Sequence, residues 1–335
     1  MTAFKHTFLA ITLLGGCGPE GTLPPAITDT QTAPTGQTWT VPTSPTGTTT
    51  TTTPTTTPPF DCDTVPTQVV STQELSGPRA YHDIAFDTDG YLIGSDNSTL
   101  FKAETDGSIG QWIPGLGMIQ QMDWMPNGDL IVAKEADSTL RRITPNGGQT
   151  TIATDVGAYG LIVGPDEMLY TANNSVVHRI DPNTGAKEVL INNPPGWLNG
   201  VRVLNFSPDF SKMYMGTSFG NGDVYEVDLD ASLTPVGDVR VLATGVGAGN
   251  YHDSLGVDIC GYLYIADYDT RALYRVSPDG QVQTLLDNQG NKYGHGAEWG
   301  NGINGWRTDA IYLPQPYDSE TVIEVVIGVP TARSW

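Results

Sequence analysis

The sequence predicts an all-β chain folded as a six-bladed β-propeller, and three observations predict it. From Tyr81 onward a unit of about forty residues recurs six times, the period of propeller blades. Within each unit, apolar and β-branched residues alternate at period two between turns rich in Asp-Gly and Asn-Gly, the pattern of antiparallel hairpins. The sixth unit lacks a last strand, whereas a strand-like segment precedes the first unit.

The third strands show the repeat most clearly: Leu100-Phe101-Lys102-Ala103, Leu140-Arg141-Arg142-Ile143, Val177-His178-Arg179-Ile180, Val224-Tyr225-Glu226-Val227, Leu273-Tyr274-Arg275-Val276 and Val322-Ile323-Glu324-Val325. They start 40, 37, 47, 49 and 49 residues apart. Second strands recur before them, for example Met168-Leu169-Tyr170 and Leu263-Tyr264-Ile265. Outer strands are expected at 108–113, 149–154, 187–192, 238–243 and 281–286, leaving blade six without one. A missing outer strand exposes a raw sheet edge. Residues 67–72, Thr-Gln-Val-Val-Ser-Thr, are the expected replacement, so the ring closes with an N-terminal strand completing the last blade.

Three segments precede or make up this ring. Residues 1–17 read as an export signal: Lys5 is followed by the short apolar run Phe8 to Leu14, too short to span a bilayer. Leu14-Gly15-Gly16-Cys17 resembles the bacterial lipobox, which implies lipidation at Cys17. Residues 18–59 are rich in Thr and Pro and form a spacer with little to bury. Residues 60–335 are the propeller. The expected location is therefore the cell envelope, at the outer membrane or cell surface, with the lipid as the sole membrane contact. Cys62 and Cys260 remain in the exported domain; their positions on one face of adjacent blades permit a disulfide, and two free thiols are the alternative.

Composition excludes some partners. The chain carries 37 Asp and Glu against 16 Lys and Arg, a net charge of −21. Nucleic-acid binding needs clustered basic residues, so it is not expected. A small-molecule ligand or substrate is the expected partner, and the chain is taken as a monomer.

In a propeller the innermost strands line the central channel, and the loops leading into them ring its mouth. The residues there read Tyr81-His82-Asp83, Gln120-Gln121, Tyr159-Gly160, Asn199-Gly200, Tyr251-His252-Asp253 and Asn301-Gly302, with His295 and Glu298 just before the last. His82, His252 and His295 thus fall in the neighbouring blades one, five and six. Asn, Asp and Glu oxygens suit a hard cation such as Ca²⁺, whereas imidazoles suit zinc. Any one of these polar residues can equally serve only to satisfy loop backbone.

Asn199-Gly200-Val201 and His252-Asp253-Ser254-Leu255-Gly256-Val257-Asp258 resemble motifs of the gluconolactonase, senescence-marker-protein and luciferin-regenerating-enzyme family of six-bladed propellers. The resemblance implies a divalent cation, commonly calcium, held by Asn199 and Asp253 with a glutamate from blade one. Tyr81-His82-Asp83 stands where that glutamate is expected. The reading is a calcium-dependent hydrolase of a small lactone or ester. Asp253, His252 and His82 are its expected catalytic groups. Asn199, Asp253, Asn301 and Glu298 are the expected metal ligands, with Asp83, Gln120, Tyr159 and His295 also at the mouth. The alternatives are a non-catalytic surface propeller that binds a ligand or partner protein, and a zinc-dependent propeller lyase.

Overall fold

A computed structural model describes residues 60–333 except 97, 135, 157–158, 174–175, 193–199, 219–221, 248–250, 288–294 and 316–320. Cys17, the spacer and Asn199 lie outside the described residues. The described residues form six four-stranded antiparallel sheets, with one 3-10 turn at Cys62–Thr64. Five sheets take their strands in sequence order, each a meander closed by short hairpins. Their innermost strands are Ala85–Phe86, Gln121–Trp124, Gly160–Val163, Val201–Phe206 and Gly256–Val257. The sixth runs inward from Ser71–Glu74 through Thr321–Val326 and Ala310–Gln315 to Glu298–Trp299.

The closing strand is therefore present, but it starts four residues later and ends two later than the sequence predicts. Ser71 pairs with Val326 and Glu74 with Ile323, and Val70 N donates to Val326 O at 2.8 Å. The apolar Val69-Val70 pair drew the expectation too early. The Pro66 carbonyl is taken by Arg275 Nη1 at 2.6 Å, so the chain is still pinned to blade five at that point. Val69 packs against the blade-five and blade-six core, and pairing begins only beyond it. What reaches the edge is Ser-Thr-Gln-Glu, polar because both its faces are exposed.

The core lies between blades rather than within them. Alternate side chains of the second strands are wholly buried against the next sheet, among them Tyr170, Tyr264 and Tyr312. Their hydroxyls need partners in that setting. Tyr170 donates to Asp166 Oδ2 at 3.0 Å, Tyr264 to Asp258 Oδ2 at 3.0 Å and Tyr312 to Glu324 Oε2 at 2.7 Å. The turn aspartates do double duty: Asp258 Oδ1 also accepts from the backbone of Cys260 and Tyr262.

The innermost strands pair only outward, so polar groups facing the channel must be satisfied by side chains. Asp83 Oδ2 accepts from Met122 N at 2.8 Å, joining blades one and two. Gln121 Oε1 and Asp123 Oδ2 each accept from blade three, at Leu161 N and Val163 N, both at 2.6 Å. Asn205 Nδ2 donates to Leu255 O at 2.9 Å, joining blades four and five. The end of the chain then covers the lower opening. Ala332 N donates to Val257 O, and Arg333 Nη2 reaches across to Asp123 Oδ2 at 2.7 Å and Val163 O at 3.1 Å.

Cys62 and Cys260 form a disulfide, Cα atoms 5.6 Å apart, closing 198 residues of sequence. A loop of that length carries a loop-closure contribution on the order of 3–5 kcal/mol. Reduction, or Cys62→Ser, is expected to lower the denaturant midpoint by a matching amount; an unchanged midpoint would show that the bridge adds nothing to the closed ring.

Candidate functional site

Asp253 is the centre of the upper channel mouth. It lies just ahead of the short innermost strand of blade five, and Tyr251, two residues earlier, has φ +61°, an uncommon conformation for a bulky residue. That kink, fixed by Tyr251 N donating to Ser218 O and Tyr268 N donating to Tyr251 O, sets the direction in which the next two side chains leave. They leave to opposite sides.

His252 turns away from the channel into the seam between blades four and five. Its Nδ1 accepts from Thr217 N at 3.1 Å and its Nε2 donates to Val246 O at 2.9 Å. Both ring nitrogens are spent on backbone, and burial holds the imidazole below its ordinary pKa, with the Val246 carbonyl working against it. The expectation that His252 is catalytic is corrected: adjacent residues of extended chain face opposite ways, and Asp253 has the channel side. Its loss also removes the three-histidine set on which the zinc reading stood.

Asp253 is hydrogen-bonded at one oxygen and has an imidazole beside the other. Arg202 Nε, from the innermost strand of blade four, meets Oδ1 at 2.6 Å, and His295 Nδ1, leading into blade six, meets Oδ2 at 3.0 Å. The same His295 nitrogen is 3.2 Å from His82 Nδ1 of blade one. A proton on His295 Nδ1 faces the His82 lone pair at 3.2 Å and lies within ion-pair distance of Asp253 Oδ2, which leaves the His82 proton on Nε2. Burial alone would push the Asp253 carboxyl up, but Arg202, His295 and His82 together hold it well below the carboxylate range. Burial and the neighbouring His295 keep His82 well below the ordinary histidine value, so it is neutral at neutral pH.

Aromatic rings build the rim. The Arg202 guanidinium lies over Tyr159 at 4.8 Å and over Tyr251 at 5.1 Å. Tyr81 meets His82 edge-on at 4.6 Å, and Tyr268 meets His295 at 5.3 Å. Blades one, three, four, five and six thus all contribute to one cluster, and the predicted residues His82, Tyr159, Asp253 and His295 come together in it. Arg202 and Tyr268 were not anticipated, and Tyr251 was read at the mouth without a role. Arg202 carried a signal, a cation two residues past Asn199-Gly200 in a channel-lining strand.

The other predicted residues sit elsewhere. Asp83 staples blade two, as described, and burial pushes its carboxyl up to about 7 against the backbone donors Met122 and Ile84. Gln120 is buried, its backbone N bonded to Ala133 O in blade two. Glu298 lies lower in the channel on the innermost strand of blade six, beside Arg333. Burial pushes it up to about 8, with Arg333 opposing and Asp123 and Asp83 adding. Asn301 follows that strand instead of leading into it, so it belongs to the turn below. Its Nδ2 donates to Asp87 O at 2.8 Å and its Oδ1 accepts from Ile303 N at 3.0 Å. With both ends of its amide on backbone, Asn301 is corrected from metal ligand to turn residue.

These residues do not fit a calcium ion at Asp253. Ca²⁺ takes six to eight oxygens at roughly 2.3–2.6 Å, whereas the described neighbours of the Asp253 oxygens are a guanidinium and an imidazole nitrogen. A divalent ion about 4 Å from Arg202 would meet roughly 8 kcal/mol of repulsion at an effective dielectric near 20. Nor do three His, Cys, Asp or Glu side chains gather as a metal-holding group among the described residues.

Residues 196–288, blades four and five, match the family model described as SMP-30/Gluconolactonase/LRE-like region. No curated protein matches the chain. Among solved structures, a gluconolactonase from Xanthomonas campestris is 13% identical, with a TM-score of 0.62, covering 78% of this chain and 91% of that one. The calcium-binding protein regucalcin from Agrobacterium tumefaciens is 15% identical, with a TM-score of 0.61, covering 78% and 95%. An auxiliary nutrient binding protein from Bacteroides thetaiotaomicron is 11% identical, with a TM-score of 0.57, covering 74% and 69%. At these identities the likeness is one of fold, and it agrees with the resemblance carried by the motifs of blades four and five.

Proposed function

We propose that the channel mouth hydrolyses a small lactone or ester. The observation that carries this reading is the buried Asp253, which orients His295 while His295 faces a second, neutral imidazole at His82. A carboxylate that fixes one imidazole beside another is a proton-handling arrangement, and general-base catalysis of this kind contributes about 10²–10⁴-fold. The match of blades four and five to the gluconolactonase-like family, and a gluconolactonase of the same fold, support the substrate class.

The chemistry uses one water. Its oxygen adds to the carbonyl carbon while its proton passes to His295 Nε2, the ring nitrogen turned away from Asp253 and His82, and the charge gained there is balanced by the Asp253 carboxylate 3.0 Å from Nδ1. The tetrahedral intermediate collapses by breaking the acyl carbon–oxygen bond, and the leaving alkoxide takes the proton back. The product is the hydroxy acid or the acid and alcohol. Because His82 is held neutral by burial and by His295, it places no second positive charge beside the imidazolium that forms.

A panel of sugar and aliphatic lactones and short esters, followed by acid release in a pH-stat, tests the reading. Turnover is expected in the native protein, and His295→Ala is expected to lower kcat by about 10²-fold or more. Absence of turnover across the panel would remove the hydrolase reading. A second reading then has its own support: Tyr159, Arg202 and Tyr251 form a stacked platform suited to a sugar or planar ring, and a nutrient binding protein shares the fold. On that reading the same compounds bind without being consumed.

A further inference from the structure

We infer that the guanidinium of Arg202 is the resident cation of this mouth, occupying at Asp253 the place that a divalent metal would take, so that the site needs no metal ion. The inference concerns the charge balance of the site and stands whether the mouth is catalytic or only binds.

Four observations converge on it. The Arg202–Asp253 contact is short, at 2.6 Å, and both side chains are withdrawn from solvent, 12% and 2% exposed. The second carboxylate oxygen lies 3.0 Å from His295 Nδ1, outside hydrogen-bond geometry, so the described neighbours of the carboxylate are a guanidinium and an imidazole and not further oxygens. The guanidinium is held from both sides by Tyr159 and Tyr251, and the Tyr251 ring is itself fixed by a left-handed backbone, so Arg202 is not a side chain that swings aside at no cost. Blade one contributes His82 to the cluster and no carboxylate. A site built for a doubly charged ion surrounds it with several oxygens and more than one negative charge. Here one carboxylate faces one guanidinium, a cation that does not lose its proton in proteins.

The arrangement also differs from a surface ion pair in what it fixes. Arg202 comes from blade four, Asp253 from blade five, His295 from blade six and His82 from blade one. One cation therefore anchors a carboxylate that lies beside His295, and His295 in turn meets His82. Arg202 is a positioning residue in this sense: it acts on the mouth through Asp253.

The test is calcium titration of the full chain, by calorimetry and by thermal melting, on the native protein, Arg202→Met and Asp253→Asn. A native metal site at about 100-fold saturation would raise Tm by roughly 5–10 °C. The expected result is no saturable calcium heat and no such shift in the native protein. Arg202→Met, with a buried carboxylate left without its cation, is expected to melt lower and to recover part of the loss on adding Ca²⁺. Two results would overturn the inference. One is a saturable calcium response in the native protein that Asp253→Asn abolishes. The other is an Arg202→Met protein that melts with the native one, showing that the guanidinium balances nothing. Neither readout depends on turnover, so failure of the hydrolase reading leaves this test intact.

Discussion

Asp253→Ala is expected to lower the melting temperature by about 10 °C. The variant leaves the Arg202 charge in a largely buried setting with no counter-ion, and breaking one side of a buried pair typically costs about 3–5 kcal/mol. In a domain of this size each kcal/mol moves Tm by roughly 2–4 °C. The exposure of the two side chains, 2% for Asp253 and 12% for Arg202, places the pair in that regime and not among surface pairs, which contribute little. The carboxyl is held below its ordinary value, so its contribution is fully present above about pH 4 and is lost only as pH falls further. Melting curves at pH 7 and at pH 3 therefore check both parts. A difference between native and variant of only a degree or two at pH 7 would remove Asp253 from the load of the fold.

Glu298→Gln is expected to act in the opposite direction, with an effect that grows as pH rises from about 4 to about 8. Burial pushes Glu298 up to about 8 and Asp83 up to about 7. An acid raised in the fold keeps its proton there while the unfolded chain gives it up at about pH 4. Folding is then opposed increasingly as pH rises from about 4 to about 8, and the effect levels off beyond. Removing the ionisable oxygen from Glu298 is expected to stabilise the propeller by about 2 kcal/mol at pH 8.5, with little change at pH 5. The gain is less than burial alone implies, because Arg333 also loses a nearby carboxylate. A variant less stable than the native chain at pH 8.5 would show that the Glu298–Arg333 attraction outweighs desolvation.

The ring was legible because its cause is local. Hairpin turns and period-two alternation repeat at blade spacing, and an edge that must be covered predicts a strand to cover it. The start of the closing strand was placed four residues too early because strand propensity points to Val69-Val70, whereas pairing begins where Pro66 and its neighbours leave blade five. The mouth was legible only in part. His82, Asp253 and His295 could be brought together by counting blades, since each lies next to an innermost strand. His252 could not be separated from Asp253 by composition, because the decision rests on one backbone angle at Tyr251. Asn301 was read as leading into blade six from its Asn-Gly pair, but that pair is the turn after Glu298–Trp299. Arg202 escaped notice because the motif before it drew the reading to Asn199. Whether an arginine pairs within its own blade or with the next is decided by the ring's closure, which no single blade contains.

The bridge between Cys62 and Cys260 determines how the molecule bears tension. Any pull arriving along the chain ahead of Phe60 meets Cys62 before it meets the seam strand Ser71–Glu74. The covalent link carries that pull directly into blade five, past the hydrogen bonds of the seam. A propeller fastened by its leading end would otherwise be unzipped one residue at a time from its weakest edge. With the sulfurs joined, that edge is left slack, and the load falls on a sheet hydrogen-bonded through all four of its strands.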